Sequence, residues 1–189
     1  MFKKIVLLIA VISLPFFSQP ATAGSHASSL KSLGANEIMF AQGMIPHHQQ
    51  AIDMSTSALA RSSNAKVKAL ASGIISDQKK EINQMKYWLA AKKAPLKMGH
   101  DMGHGMGHGM GMDGMLSESQ VAELKKLRGP KFDTAFLKAM IEHHQGALTM
   151  LSMLSGSKNS EARALSKEIR AAQSGEISVM QKLLMEVSK

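Results

Sequence analysis

The sequence predicts an all-α protein, a four-helix bundle made of two repeated helical hairpins. A Gly/Met/His-rich linker with one short extra helix joins them. Three observations predict this. The chain contains itself twice: "MIPHHQQAIDM" (Met44–Met54) and "MIEHHQGALTM" (Met140–Met150) agree at seven of eleven positions, at a spacing of 96. Upstream, Glu37 and Phe40 correspond to Asp133 and Phe136; downstream, at spacing 95, Gln78, Glu81, Ile82, Met85 and Leu89 correspond to Gln173, Glu176, Ile177, Met180 and Leu184. Four long segments carry the helical period, and none shows sustained period-2 alternation. The connections within each half are short, so each half reads as an antiparallel hairpin. The repeat implies a pseudo-two-fold axis.

The elements follow in order. Residues 1–23 read as a secretory signal peptide. Lys3 and Lys4 form its charged region, Ile5–Leu14 its apolar core and Ala21-Thr22-Ala23 its cleavage signature. The apolar core is shorter than the roughly 20 residues of a membrane span, and an uncleaved anchor is the alternative. Residues 24–35 read as a flexible N-terminus. Residues 36–94 form the first hairpin. Its first helix runs over Asn36–Arg61; its second is capped by Ser63 or Asn64, runs to Ala91 and is followed by Pro95. Residues 95–131 hold the linker and a short helix. The capping box "SESQ" (Ser117–Gln120) opens that helix, which runs to Leu127 before Gly129-Pro130 breaks it. Residues 132–187 form the second hairpin, with helices over Phe132–Ser155 and Ser160–Val187. Pro46 predicts a kink beside His47; the alternative is that the helix begins at Pro46.

Composition narrows the function. The formal net charge is +9, but the Lys residues scatter, and one Trp, one Tyr and six Phe supply no stacking platform for bases. Nucleic acid is therefore not an expected partner. Nor is stable membrane insertion expected once the leader is removed. The chain has no Cys, so soft-metal chemistry falls to Met.

At 100° per residue, Met54, His47, Met44 and His48 span about 120°, the width of a core-facing stripe. Adjacent His residues cannot share one radius, so they straddle the stripe, one toward each neighbouring helix. Met150, His143, Met140 and His144 repeat the arrangement. On the partner helices Glu81 and Met85, and likewise Glu176 and Met180, stand four apart on an apolar stripe. A buried acid there needs a partner, either a facing His or a metal they share. Each Met or His taken singly reads more simply as core filler, and a His–Glu hydrogen-bond network is the structural alternative. Both halves keep His, His, Gln, Glu and three Met, while aliphatic positions such as Ile52 and Leu148 drift. That favours a metal site.

The linker Met98–Met115 contains seven Gly, six Met, three His and two Asp. Met98, Met102, Met106 and Met110 recur every four residues, His100, His104 and His108 interleave, and Met112 and Met115 follow. Thioethers favour Cu(I) and imidazole accepts Cu(II), so the mixture points to copper in both oxidation states, with Ag(I) as a mimic.

"FAQGMIPHHQQAIDMS" and "FLKAMIEHHQGALTML", each followed by Q-x-x-E-I-x-x-M, resemble the "M-I-x-H-H-x-x-A" domain-of-unknown-function family 305 over roughly Asn36 to Leu184. The resemblance implies a ferritin-like helical bundle and a periplasmic or secreted copper-binding protein serving copper resistance and homeostasis. Carried over by position, it supports Met44, His47, His48 and Met54, with Met140, His143, His144 and Met150. The linker is not a feature implied for every member.

The expected function is therefore a non-enzymatic binder that sequesters or carries Cu(I) and Cu(II) after export. A copper efflux or acceptor protein is the natural recipient, although nothing in the sequence names one. A Cu(I) oxidase on the same scaffold is one alternative. Di-iron chemistry is disfavoured because no Glu-x-x-His occurs. A Met-rich interaction module without metal is the other alternative.

Overall fold

The computed structural model describes residues 29–97 and 113–187. Its elements are α1 (Ala35–Arg61), α2 (Ala65–Ala91), α3 (Glu118–Lys126), α4 (Gly129–Met150), a 3-10 turn (Leu151–Leu154) and α5 (Ser160–Val187), with no strand among the described residues. α1 pairs with α2 and α4 with α5, and the two hairpins meet chiefly along α1 and α4. The repeated motifs lie on those two central helices.

Local chemistry sets the helix ends. The Glu37 carboxylate accepts from the Gly34 N–H at 2.8 Å and opens α1. Asn64 caps α2, its side chain accepting from the Lys66 and Val67 N–H groups, which the helix leaves without partners. Ser117 and Gln120 close the expected capping box at α3. α4 starts at Gly129 rather than Phe132. Gly129 takes a positive φ of 58° and Pro130 occupies the first turn, where its missing N–H costs nothing. The α-helix stops at Met150, five residues short of the expected Ser155, and tightens into the 3-10 turn. α1 runs unbroken through Pro46, which excludes a start at that residue. Of the described residues before α1, Ser29 and Leu33 are buried, and Asn159 donates to the Ser29 carbonyl at 2.6 Å.

The core divides into two apolar clusters. One holds Phe40, Met44, Ile52, Met85, Trp88, Leu89, Met150, Leu151, Leu165 and Ile169; the other holds Met54, Val67, Ile74, Phe132, Phe136, Leu137, Met140, Met180 and Leu183. Each draws on both halves. Met150 of the second half joins Met44 and Met85, and Met54 of the first joins Met140 and Met180. Each fully buried side chain of this size contributes about 1.5–3 kcal/mol, so these clusters lock the hairpins together. Trp88, fully buried, donates its indole N–H to Glu161 at 3.0 Å and ties α2 to α5.

Candidate metal centre

The repeated polar residues form a layer at the crossing of α1 and α4. His47, His48, His143 and His144 have no solvent exposure. As the 100° step requires, the members of each pair point to different neighbours. His48 meets Glu81 of α2 through Nε2 at 2.6 Å, and His144 meets Glu176 of α5 at 2.7 Å. Their companions turn toward the pseudo-two-fold axis, where the rings of His47 and His143 lie 3.8 Å apart between centroids, tilted by 43°. His143 donates from Nε2 to the His47 carbonyl, and His47 donates from Nε2 to the Asp113 carbonyl, both at 3.1 Å.

These partners decide where the ring lone pairs sit. Carbonyls only accept, so His47 and His143 carry hydrogen on Nε2 and, as neutral rings, a lone pair on Nδ1. Both are held neutral. Burial depresses His47 to about 4 and holds His143 well below the usual imidazole range, with neighbouring imidazoles adding to the effect. Burial, and then His144, lower His48 to about 3. Burial, reinforced by Glu176 and Asp77, raises Glu81 to about 8. At neutral pH the His48–Glu81 pair therefore keeps one proton on the carboxyl, which donates to Nε2. Loss of the ring's Nδ1 proton, with the carboxyl proton passing to Nε2, leaves Nε2–H donating to a carboxylate and frees the lone pair at Nδ1. A cation at that nitrogen would expel the proton.

The layer is under-satisfied. Among the described residues, ten buried side-chain N and O atoms have no hydrogen-bond partner. Eight belong here: the four His Nδ1 atoms and both amide atoms of Gln78 and Gln173, one turn before the two glutamates. A buried polar atom left unpaired costs about 1–3 kcal/mol, so such a concentration asks for a ligand. The donor types that the repeat keeps, neutral imidazole and thioether, fit copper. Among the described residues, no three His, Asp or Glu side chains converge in a ligating arrangement. A bound ion would therefore combine imidazole with the Met groups rather than rest on a carboxylate cage.

Met44, Met85 and Met150 occupy one apolar cluster, and Met54, Met140 and Met180 the other. Glu81 and Glu176 hold imidazole rings rather than standing free. Met98, His100, Met102, His104, Met106, His108, Met110 and Met112 lie outside the described residues. Met115 lines a cleft with Lys138, Ala139 and Glu142. Sequence reasoning did not anticipate the approach of the linker's end to this layer. Gln50 donates to the Leu116 carbonyl and accepts from the Leu116 N–H, both at 2.8 Å. Gly146, its counterpart in the repeat, lies so close beneath Asp113 that a Cβ would sit 1.8 Å from the Asp113 carbonyl oxygen. The signal was present: Gln50 against Gly146 is one of only four differences within the repeated motif.

The family model described as "Domain of unknown function (DUF305)" matches residues 37–184. The chain is similar to a DUF305 protein from Streptomyces coelicolor at 29% identity, covering 81% of this chain and 94% of that one with a TM-score of 0.73. A DUF305 fragment from Deinococcus radiodurans matches at 33% identity over 81% and 97% of the two chains, TM-score 0.69. CopM in its Cu(II)-bound form matches at 34% identity over 79% and 96%, TM-score 0.65. CopM is also described bound to Cu(I) and to Ag, at 32% and 30% identity. No curated protein matches the chain.

Proposed function

The chain belongs to the DUF305 family, and from that premise we propose that it is an exported copper-binding protein that sequesters or carries Cu(I) and Cu(II) as cargo. The observation that carries this reading is the layer of four buried imidazoles whose Nδ1 atoms lack partners, in a bundle whose helices send three buried Met into each of the two apolar clusters. The copper- and silver-bound forms of CopM, at 30–34% identity, support the choice of metal.

In this reading Met holds Cu(I), which thioethers favour, and His holds Cu(II). Glu81 and Glu176 orient their imidazoles, and Glu81 takes part in the proton exchange that accompanies binding. The Met/His linker gathers ions and the bundle retains them. The leader read from residues 1–23 supports export; among the described residues no helix is long and apolar enough to cross a membrane. The role is stoichiometric, contributing to copper homeostasis and resistance. Transfer to an efflux or acceptor protein would make it a carrier rather than a store.

The test is an anaerobic Cu(I) titration against a colorimetric chelator. It compares the chain lacking its leader with a version whose Met98–Met112 is replaced by Gly/Ser. Tight binding retained by the replacement assigns the primary site to the bundle. Tight binding lost assigns it to the linker and leaves the His layer structural. Sustained oxygen consumption with excess Cu(I) would replace the binder with an oxidase.

A further inference from the structure

The two rings at the pseudo-two-fold axis are closed off differently. His143 is held by the carbonyl of His47, part of the α1 backbone, which moves only with that helix. His47 is held by the carbonyl of Asp113, which belongs to no helix. The segment Asp113–Leu116 reaches that position through three devices. The Gln50 amide grips both backbone groups of Leu116. Gly146 leaves a notch where any side chain would strike Asp113. Gly114 turns with a positive φ of 77° against the α4 backbone, where a Cβ would lie 2.3 Å from the Glu142 carbonyl oxygen. Gly in the middle of a helix costs about 1 kcal/mol against Ala, so Gly146 is expensive unless the close approach it allows is used. One position of the repeat has thus diverged into the two faces of a single seat, Gln50 on α1 and Gly146 on α4.

We propose that Gln50 and Gly146 seat Asp113–Leu116 as a lid over His47, and that metal exchange at the His layer passes through release of this lid. The second clause rests on the reading of the layer as a metal site; the first does not. Release breaks two hydrogen bonds to one amide side chain and one to His47, and leaves every helix intact. The His47 and His143 rings lie 3.8 Å apart between centroids, so the same opening serves both. The lid is the last part of the Met/His linker, so ions gathered there arrive beside the group that must open.

The test uses the chain without its leader and the variants Gln50→Ala, which removes both grips on Leu116, and Gly146→Ala, which fills the notch. In metal-free protein, NMR follows solvent exchange of the His47 Nε2 hydrogen. Both variants should exchange it at least tenfold faster than the parent, with helical circular dichroism unchanged. Stopped-flow transfer of Ag(I) from bundle to chelator should accelerate by a similar factor, with equilibrium affinity held within about threefold. Gln50→Ala keeps the test decisive if Gly146→Ala fails to fold. Unchanged His47 exchange in a folded variant would overturn the lid. Faster His47 exchange with unchanged Ag(I) transfer would overturn its control of metal exchange. Absence of any Ag(I) on the bundle would instead count against the proposed function, and the ring-exchange result would still decide the lid.

Discussion

The first and second halves carry the same pair of His on a central helix and the same Glu on the helix beside it, yet only the first depends on chain outside the bundle. In the second half, His144 rests on Glu176 and His143 on a helix carbonyl. In the first, His48 rests on Glu81, but His47 reaches out to Asp113. Duplication supplied two equivalent layers of donors, and divergence at single positions made one of them responsive to the linker. A repeated site need not be a repeated function.

The comparison can be broken at several levels. The largest effect is expected from removing the imidazoles of one half. His143→Ala with His144→Ala should lower bundle affinity for copper at least tenfold while leaving the linker's capacity, read by titration of the Gly/Ser-linker version beside the parent. Replacement of His47 and His48 should do the same if the halves bind alike. A loss confined to one pair would show that only that half binds.

Acid should act next. The buried His47 is depressed from 6.5 to about 4, so the unfolded chain binds its proton more readily; its contribution is present above pH 6.5 and is lost as pH falls through 4. That shift corresponds to about 3 kcal/mol, and the lowered His48 and His143 act in the same direction. Glu81 works oppositely. Raised from 4.5 to about 8, it contributes most below pH 4.5 and loses that contribution as pH rises through 8. Metal-free protein should therefore be most stable near pH 6.5: below it the three lowered imidazoles outweigh Glu81, and above it Glu81 alone acts and stability declines. Denaturant unfolding across pH 4–9 reads this directly, and Glu81→Gln should remove the alkaline decline.

Exchanging the diverged residues gives a smaller effect. Gly146→Gln overfills the notch and should cost about 1–3 kcal/mol. Gln50→Gly removes two hydrogen bonds and adds a helical Gly, for about 2 kcal/mol. Thermal melts would separate these from the smallest change, Gln49→Ala, whose exposed bond to Asp53 should leave stability within about 0.5 kcal/mol.

Much of this architecture is legible in the sequence because the helical period and the repeat are local or self-comparing signals. The helices, the capping residues Asn64 and Ser117, and the opposite orientation of adjacent His all follow from 3.6 residues per turn. The 3-10 ending at Leu151–Leu154 does not, since its apolar spacing suits either helix. Nor does the separation of the Met residues into two clusters that each cross between halves, which depends on how α1 passes α4. The seat at Gln50 and Gly146 is a tertiary contact, and its trace in the sequence is one divergence of the repeat that puts a Gly where a helix would favour another residue.

The pseudo-symmetry is also broken optically. Trp88 is the sole tryptophan of the chain, fully buried in the cluster of Met44, Met85 and Met150. Its repeat counterpart, Leu183, lies in the other cluster, with Met54, Met140 and Met180. Intrinsic fluorescence therefore reports one cluster and is silent about the other. A heavy, soft ion entering beside the indole would quench the emission, whereas the same ion on the far side would leave it bright. The order in which two nearly identical compartments fill can be read from the unlabelled protein, by setting fluorescence lost against equivalents bound.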